Sequence, residues 1–387
     1  MSAAKRLIFV FHANGFNKGT YRPLVHEIAL KLSSLEEPIL EVEPGQPKYL
    51  EHYKINANNT GFGSSNNNRE HVNVVLVDLM GHGDGPTLDS VGIKSLAERM
   101  AIFDEQGKYI TNIVKAYKEK ICPEKTYSFG HSLGGGCIMN ALLNYASNTN
   151  AGAAGTFSQV GANAQHQQLF DKVLLFEPMQ LINPSVPDAF GRCIIDEDFF
   201  EASPIAQSAL RRKNGWNSLD EARNYFYSKT FYKSWDPRCL DNYMMDGLKY
   251  DSFTNQYVLK CAPFTEAMLF ATGIDPVTYE QKLQNTRFLG DPKNGAGIAK
   301  TKIKVLIGGK MAQSKSKKVL WSEEKILEVF SGVIKCFPEN ISWDQIDGGH
   351  LYPIEDVRGF VNMLMDEFEL RRESCTSAHS SSGNSKL

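Results

Sequence analysis

One short stretch decides the fold that we expect: Tyr127-Ser128-Phe129-Gly130-His131-Ser132-Leu133-Gly134-Gly135. It contains a G-x-S-x-G motif between a strand-like run and a helix-forming run. In a sharp strand-to-helix turn the serine is conformationally strained, so the residues two before and two after it must be small. Gly130 and Gly134 meet that requirement. The motif therefore predicts a nucleophilic Ser132, with the backbone N–H of Leu133 directed at an oxyanion.

Outside this motif, short apolar runs bounded by glycine predict buried parallel strands. They cover residues 7–11, 72–79, 126–129, 173–176 and 303–307, and a further strand-like segment covers residues 341–346. Apolar residues at helical spacing lie between most of them, at residues 92–120, 321–330 and 357–370. This alternation predicts an α/β protein with a mostly parallel, doubly wound sheet.

Two segments interrupt the alternation and set the predicted domain boundaries. Residues 36–71 include a polar, Asn-rich and Gly-rich stretch, which predicts a long surface excursion within the first part of the core, residues 1–179. Residues 180–300 combine aromatic residues with helical patterns and contain no convincing strand run, so they predict an inserted helical cap. Residues 301–371 complete the core, and residues 372–387 form a flexible Ser-rich tail.

A nucleophilic serine needs an imidazole to take its proton and a carboxylate to hold that imidazole. His350 lies in a loop of small residues between a strand-like segment and the last helix, so we predict that it is the base. The residues after the strand at 303–307 are Gly308-Gly309-Lys310-Met311-Ala312-Gln313 and include no carboxylate. One strand earlier, Glu177 ends a buried run where an unpaired carboxylate would be costly. Glu177 is therefore the predicted acid.

The loop after the first strand, Phe11-His12-Ala13-Asn14-Gly15-Phe16, is expected to supply the second oxyanion donor. Because glycine lets the backbone approach a substrate, we assign that role to the Asn14 backbone N–H. His12 is expected to brace the loop. The turn Asp78-Leu79-Met80-Gly81-His82-Gly83-Asp84-Gly85 is expected to shape the floor of the site, because its spacing fits neither a dinucleotide nor a Walker loop.

In chain order, these motifs resemble those of the α/β-hydrolase superfamily: HANG after the first strand, D-x-x-G-H-G, GHSLGG, FEP and GGH. The combination of HANGF, the glutamate position, a long helical cap and a terminal SKL is similar to fungal peroxisomal hydrolases. The resemblance implies the α/β-hydrolase fold. It also implies that Ser132 is the nucleophile, His350 the base and Glu177 the acid, with Asn14 and Leu133 as the oxyanion donors.

Composition limits the class of protein. The chain has 387 residues, of which 42% are hydrophobic and 22% charged, so it can bury one or two large cores. A formal net charge of −2 gives no electrostatic reason to expect a nucleic-acid partner. Seven dispersed cysteines predict reduced thiols, and nine dispersed histidines predict no metal site, so no cofactor is expected. No apolar run reaches the roughly 18 residues of a transmembrane segment.

The last three residues, Ser385-Lys386-Leu387, form the tripeptide that the peroxisomal import receptor reads at a free carboxyl terminus. The Ser-rich stretch before them has no apolar periodicity, so the tripeptide is expected to be accessible to solvent. The sequence therefore predicts the import receptor as a partner and the peroxisomal matrix as the location.

These features favour a serine hydrolase of the lipase or carboxylesterase type, which cleaves an acyl ester or lipid through an acyl-enzyme. Cap aromatics are available to line an acyl pocket; they are Phe199, Phe200, Trp216, Tyr225, Phe226, Tyr227, Phe231, Tyr232 and Trp235. A related alternative is an acyl-CoA thioesterase, which predicts that the basic cluster Arg211-Arg212-Lys213 lies at the pocket mouth. An alternative from another class is a catalytically silent ligand-binding or partner-binding homologue.

Overall fold

The structure is a computed structural model. It describes residues 5–33, 40–56, 71–88, 96–151, 168–179, 186–187, 193–194, 204–270, 282, 301–309 and 339–370. Several predictions lie outside the described residues: the helix at residues 321–330, most of the polar stretch within residues 36–71, and the tail with its terminal tripeptide.

The described strands are numbered in chain order. They are β1 (Lys5–Phe11), β2 (Glu41–Val42), β3 (Leu50–Asn56), β4 (His71–Val77), β5 (Lys125–His131), β6 (Lys172–Phe176), β7 (Val186–Pro187), β8 (Cys193–Ile194), β9 (Leu248–Asp251), β10 (Gln256–Leu259), β11 (Lys302–Gly308) and β12 (Ile341–Ile346). The described helices of four or more residues are α1 (Arg22–Ser33), α2 (Leu96–Ile121), α3 (Leu133–Ala151), α4 (Pro204–Leu210), α5 (Leu219–Ser228), α6 (Pro237–Gly247), α7 (Pro263–Phe270), α8 (Tyr352–Glu355) and α9 (Val357–Glu367), and a short 3₁₀ helix covers Lys18–Tyr21.

Eight strands form one mostly parallel sheet in the order β12-β11-β6-β5-β1-β4-β3-β2. The pairs from β12 to β4 are all parallel, which confirms the predicted doubly wound sheet. Every predicted strand is present, with bounds that differ from the prediction by no more than two residues. Because the carboxyl ends of parallel strands lie at the same edge, the loops after β1, β5, β6 and β12 can meet there.

The prediction for residues 36–71 was wrong in part. Instead of a surface excursion throughout, β3 pairs antiparallel with β4 and β2 pairs antiparallel with β3, so this segment extends the sheet at one edge. β2 is the outermost strand on this side, and β3 lies between β2 and β4. The fixed position of β3 comes from backbone hydrogen bonds to β4, which the apolar pattern of the segment does not reveal.

Apolar layers cover both faces of the sheet. In β1, Leu7, Phe9 and Phe11 face one layer, which includes side chains of α2 and α3. Ile8 and Val10 face the other layer, which includes side chains of α1 and α9. A strand buried on both faces needs a continuous apolar run, and this is why these strands were readable from the sequence.

The longest described range of the predicted cap, residues 204–270, lies between β6 and β11 in the chain and is mainly helical. Ser218 caps α5 by accepting a hydrogen bond from the Glu221 N–H, 3.0 Å away. The expectation of no strands here was wrong, because β9 and β10 form an antiparallel hairpin. Its turn depends on Asp251, which accepts a hydrogen bond from the Phe253 N–H, and these polar turn residues carry no apolar strand signal.

Candidate active site

The turn between β5 and α3 holds Ser132 in the strained conformation that its motif predicts. Ser132 has a φ of 52°, a left-handed value that is uncommon for a residue with a side chain. A Cβ atom at Gly130 would lie 2.7 Å from the Gly135 backbone nitrogen, and one at Gly134 would lie 2.4 Å from the Phe11 carbonyl oxygen. Glycine is therefore required at both positions, because the turn packs directly against the end of β1 and the first turns of α3.

Glu177 and His350 meet although 173 residues separate them in the chain. Glu177 is fully buried at the end of β6, and its Oε2 lies 2.5 Å from His350 Nδ1. Its other carboxylate oxygen, Oε1, accepts a hydrogen bond from the Gly308 N–H at 2.8 Å. Because an ionised carboxylate only accepts hydrogen bonds, Nδ1 of the ring carries the proton. The lone pair of Nε2 is then the basic site of the imidazole.

Ser132 and His350 line the same cavity, which has a volume of about 720 Å³. The hydrogen bonds among the described residues include none between Ser132 Oγ and the His350 ring. Such contacts are often long in unliganded enzymes and shorten when substrate binds. The structure thus brings the predicted nucleophile and base to one cavity, with the predicted acid fixed behind the base.

Two backbone N–H groups near Ser132, that of Asn14, which lines the cavity, and that of Leu133, which follows Ser132 in the chain, are free in the described part of the chain. The N–H groups of Ala13 and Gly15 donate to Tyr21 Oη and His82 Nε2, at 3.3 and 3.0 Å. The intervening N–H of Asn14 has no acceptor among the described residues, and neither does that of Leu133, the first residue of α3. Free amides at these two positions are what an oxyanion hole requires.

The cavity uses only part of the predicted aromatic set. Phe231 and Tyr232 line it, whereas Trp216, Phe226 and Trp235 pack in the apolar layer of the cap. Phe199 and Phe200 lie outside the described residues. Of the seven aromatics in this set that the structure describes, two line the cavity and are available to contact a ligand.

The basic cluster Arg211-Arg212-Lys213 is divided by the structure. Arg212 lines the cavity, where its guanidinium binds the Glu266 carboxylate. Arg211 and Lys213 do not line the cavity and bond instead to Gln207 and Glu221. The three residues therefore do not act as one basic patch at the pocket mouth.

Comparison with solved structures agrees with this architecture. The peroxisomal α/β-hydrolase Lpx1 from Saccharomyces cerevisiae matches 100% of this chain and 81% of its own, with a TM-score of 0.55 and 15% identity. The thioesterase domain from the curacin biosynthetic pathway matches 94% of this chain and 92% of its own, with a TM-score of 0.50 and 11% identity. This chain has the α/β-hydrolase fold. No protein-family model and no curated protein sequence matches it.

Within this α/β-hydrolase fold, His131 connects two loops of the site, a role that sequence reasoning missed. Its Nε2 lies 2.8 Å from the His350 carbonyl oxygen, and its Nδ1 lies 2.7 Å from Tyr21 Oη. Burial and the nearby His350 hold the pKa of His131 well below its usual value, so the ring is neutral. Nε2–H therefore donates to the His350 carbonyl, and Tyr21 donates to Nδ1 and accepts from the Ala13 N–H.

His12 braces the first loop, as predicted. Its Nε2 accepts a hydrogen bond from the Leu79 N–H at 3.0 Å, and this bond joins the loops after β1 and β4. Burial lowers the pKa of His12 to about 4, so the ring stays neutral and can accept that bond. Asp78, in the predicted floor turn, is fully buried and binds Lys18 Nζ at 2.9 Å. None of residues 78–85 lines the cavity, so the turn supports the loop after β1 through the Gly15 N–H to His82 Nε2 bond rather than forming the predicted floor of the site.

The described residues hold neither a metal-binding cluster nor a membrane-spanning helix. In the part of the chain that the structure describes, no three His, Cys, Asp or Glu side chains are grouped so that they would hold a metal ion. Across the same ranges, no helix combines the length and the apolar composition needed to span a membrane.

Proposed function

We propose that this protein is a serine hydrolase that cleaves acyl esters, of the lipase or carboxylesterase type. One observation carries the proposal: Ser132 and the His350–Glu177 pair converge on a cavity next to two backbone amides that have no other described partner. A strained serine, a base with a fixed tautomer and an oxyanion hole are the three parts that acyl transfer requires.

In the proposed reaction, Ser132 Oγ attacks the ester carbonyl while His350 Nε2 takes its proton. Glu177 holds Nδ1–H and stabilises the imidazolium that forms. The N–H groups of Asn14 and Leu133 donate to the oxyanion of the tetrahedral intermediate. His350 then protonates the leaving alcohol, and water, activated by the same ring, releases the acid from the acyl-enzyme.

The thioesterase alternative receives less support. It requires unpaired basic side chains for the phosphates of coenzyme A. Arg212 and Lys213 form ion pairs with Glu266 and Glu221, at 2.6 and 2.9 Å. Lys229 lines the cavity without an ion pair among the described residues, so a single basic side chain remains there for a phosphate. The likeness to a thioesterase domain concerns the fold alone, so it does not change this balance. Labelling of the serine, described next, distinguishes an active enzyme from the catalytically silent homologue.

The nucleophile is tested with a fluorophosphonate probe that labels activated serines. We expect the parent protein to be labelled and Ser132→Ala to be unlabelled. Ser128→Ala is the matched control, because Ser128 lies in β5, the strand that precedes Ser132, is fully buried and has no hydrogen-bond partner for its hydroxyl among the described residues. Labelling that persists in Ser132→Ala would reject this nucleophile. A parent protein that is not labelled would favour the silent homologue.

We also propose the peroxisomal matrix as the location, with the import receptor as a partner. The support is Ser385-Lys386-Leu387, which directs import where it forms the free carboxyl terminus. A structural neighbour, Lpx1, is itself described as peroxisomal. A fluorescent protein fused to the amino terminus should colocalise with a peroxisomal marker, and deletion of Leu387 should leave it in the cytosol. Import that survives the deletion would contradict the proposal.

A further inference from the structure

An ion pair lies inside the cavity that holds Ser132 and His350. Arg212 follows α4, Glu266 belongs to α7, and both line the cavity. Their side chains are only 17% and 12% exposed, and Arg212 Nη1 donates to Glu266 Oε2 at 2.6 Å. A pocket that served only to hold an alkyl chain would not need this pair, because apolar residues in place of a buried pair are often neutral or stabilising.

The pair retains capacity for further hydrogen bonds. Both hydrogens of Arg212 Nη2 are used, one by Tyr232 Oη at 2.9 Å and one by Tyr243 Oη. One hydrogen on Nη1 and the hydrogen on Nε have no acceptor among the described residues. Glu266 Oε1 likewise has no donor among them. The wall therefore presents at least one donor and one acceptor side by side.

This polar wall adjoins the proposed oxyanion loop. A Cβ atom built on Gly15 would lie 2.5 Å from Glu266 Oε1, so the carboxylate rests directly on the residue after Asn14. The Asn14 side chain also donates to the Glu266 carbonyl oxygen at 2.9 Å. The carboxylate therefore adjoins the residue that follows the proposed oxyanion donor. A substituent that reaches it would be on an acyl carbon near the carbonyl, such as the second or the third.

Charge decides what kind of substituent fits. The pair is neutral in sum, so a substrate carboxylate would meet Glu266 as well as Arg212 and gain little. A hydroxyl group accepts from Arg212 and donates to Glu266 at the same time. We propose that Arg212 and Glu266 form a polar subsite that selects acyl esters with a hydroxyl group on the second or third acyl carbon. This inference rests on the proposed serine hydrolase function.

The test compares p-nitrophenyl 3-hydroxybutanoate with p-nitrophenyl butanoate, as the ratio of their kcat/KM values. We expect the parent protein to prefer the hydroxy ester about 10- to 100-fold, the range for hydrogen bonds to charged groups. Arg212→Met/Glu266→Leu, which removes both charges together, should bring the ratio near one. Arg223→Met/Asp241→Leu is the control, because it removes an exposed pair of the same cap and should keep the parent ratio.

Several outcomes would overturn the subsite: a parent ratio near one, a preference that persists in Arg212→Met/Glu266→Leu, or a preference lost equally in the control. If Arg212→Met/Glu266→Leu does not fold, the test uses the parent protein with a third ester, p-nitrophenyl 3-methoxybutanoate, whose methoxy group cannot donate a hydrogen bond to Glu266. The methoxy ester should then lose the preference, and equal turnover of the two would reject the subsite. Fluorophosphonate labelling of the parent separates the two proposals, since a labelled parent without preference rejects only the subsite.

Discussion

Replacing Glu177 with glutamine should reduce kcat/KM about 10³- to 10⁴-fold, or about 4 to 5.5 kcal/mol of transition-state stabilisation. The reason lies in the two donors that the carboxylate serves, the Gly308 N–H at 2.8 Å and His350 Nδ1–H at 2.5 Å. A glutamine has a single acceptor oxygen. If the oxygen keeps Gly308, the amide nitrogen faces Nδ1 and moves the ring proton to Nε2, where it blocks the base.

The opposite orientation of the glutamine leaves the Gly308 N–H facing another donor, which costs about 1 to 3 kcal/mol in a buried site. Either orientation therefore impairs the enzyme. The assay is hydrolysis of p-nitrophenyl butanoate, with thermal unfolding to verify that the variant folds. Glu355→Gln is the control, because Glu355 lines the same cavity without a described hydrogen bond to His350. A folded Glu177→Gln variant within tenfold of the parent would refute the assignment of the acid.

Three further predictions concern the residues that support the site. Lowering the pH from about 7.5 to about 5 should reduce the free energy of unfolding, and His12→Gln should shrink that loss by about 2 kcal/mol. The pKa of His12 is about 4 in the folded protein and ordinarily 6.5, so its contribution to stability is lost as the pH falls from 6.5 toward 4. The free energy of unfolding is measured by urea titration, and a loss in His12→Gln equal to that of the parent would contradict the prediction. Gly134→Ala should cost about 3 kcal/mol in thermal unfolding and Gly349→Ala less than about 0.5, because only the first adds a Cβ against backbone atoms, at 2.4 Å. His131→Phe should lower kcat about 10- to 100-fold through misplacement of the base loop, and turnover equal to the parent would reject its positioning role.

The local sequence was sufficient to predict features that depend only on residues close together in the chain. Residues 7–11 and 74–77 are apolar on both faces, so their burial in a parallel sheet followed directly from the pattern. The glycines around Ser132 were equally readable, since the strain of a strand-to-helix turn is set by neighbours in the chain. The predicted position of the nucleophile rests on the same turn.

Pairing between distant segments was harder to predict. Glu177 was chosen because a carboxylate at a strand end needs a partner, but its hydrogen bond to His350 exists only because β6 and β12 flank β11. The edge strands β2 and β3 escaped prediction because their position depends on backbone bonds to β4 rather than on apolar side chains. His131 occupies a position of the G-x-S-x-G motif that accepts any residue. Its connecting role depends on hydrogen bonds to Tyr21 and to the His350 carbonyl, which the sequence does not reveal.

The neighbours Arg211, Arg212 and Lys213 show where the division lies. All three side chains are positively charged by composition. Only the Arg212 guanidinium lines the cavity, where it binds the carboxylate of Glu266 in α7, more than fifty residues later in the chain. Side-chain chemistry and backbone strain are properties of the chain and can be inferred from it. Which groups lie within hydrogen-bond distance is decided by packing of remote elements, because electrostatic and hydrogen-bond energies fall steeply with separation.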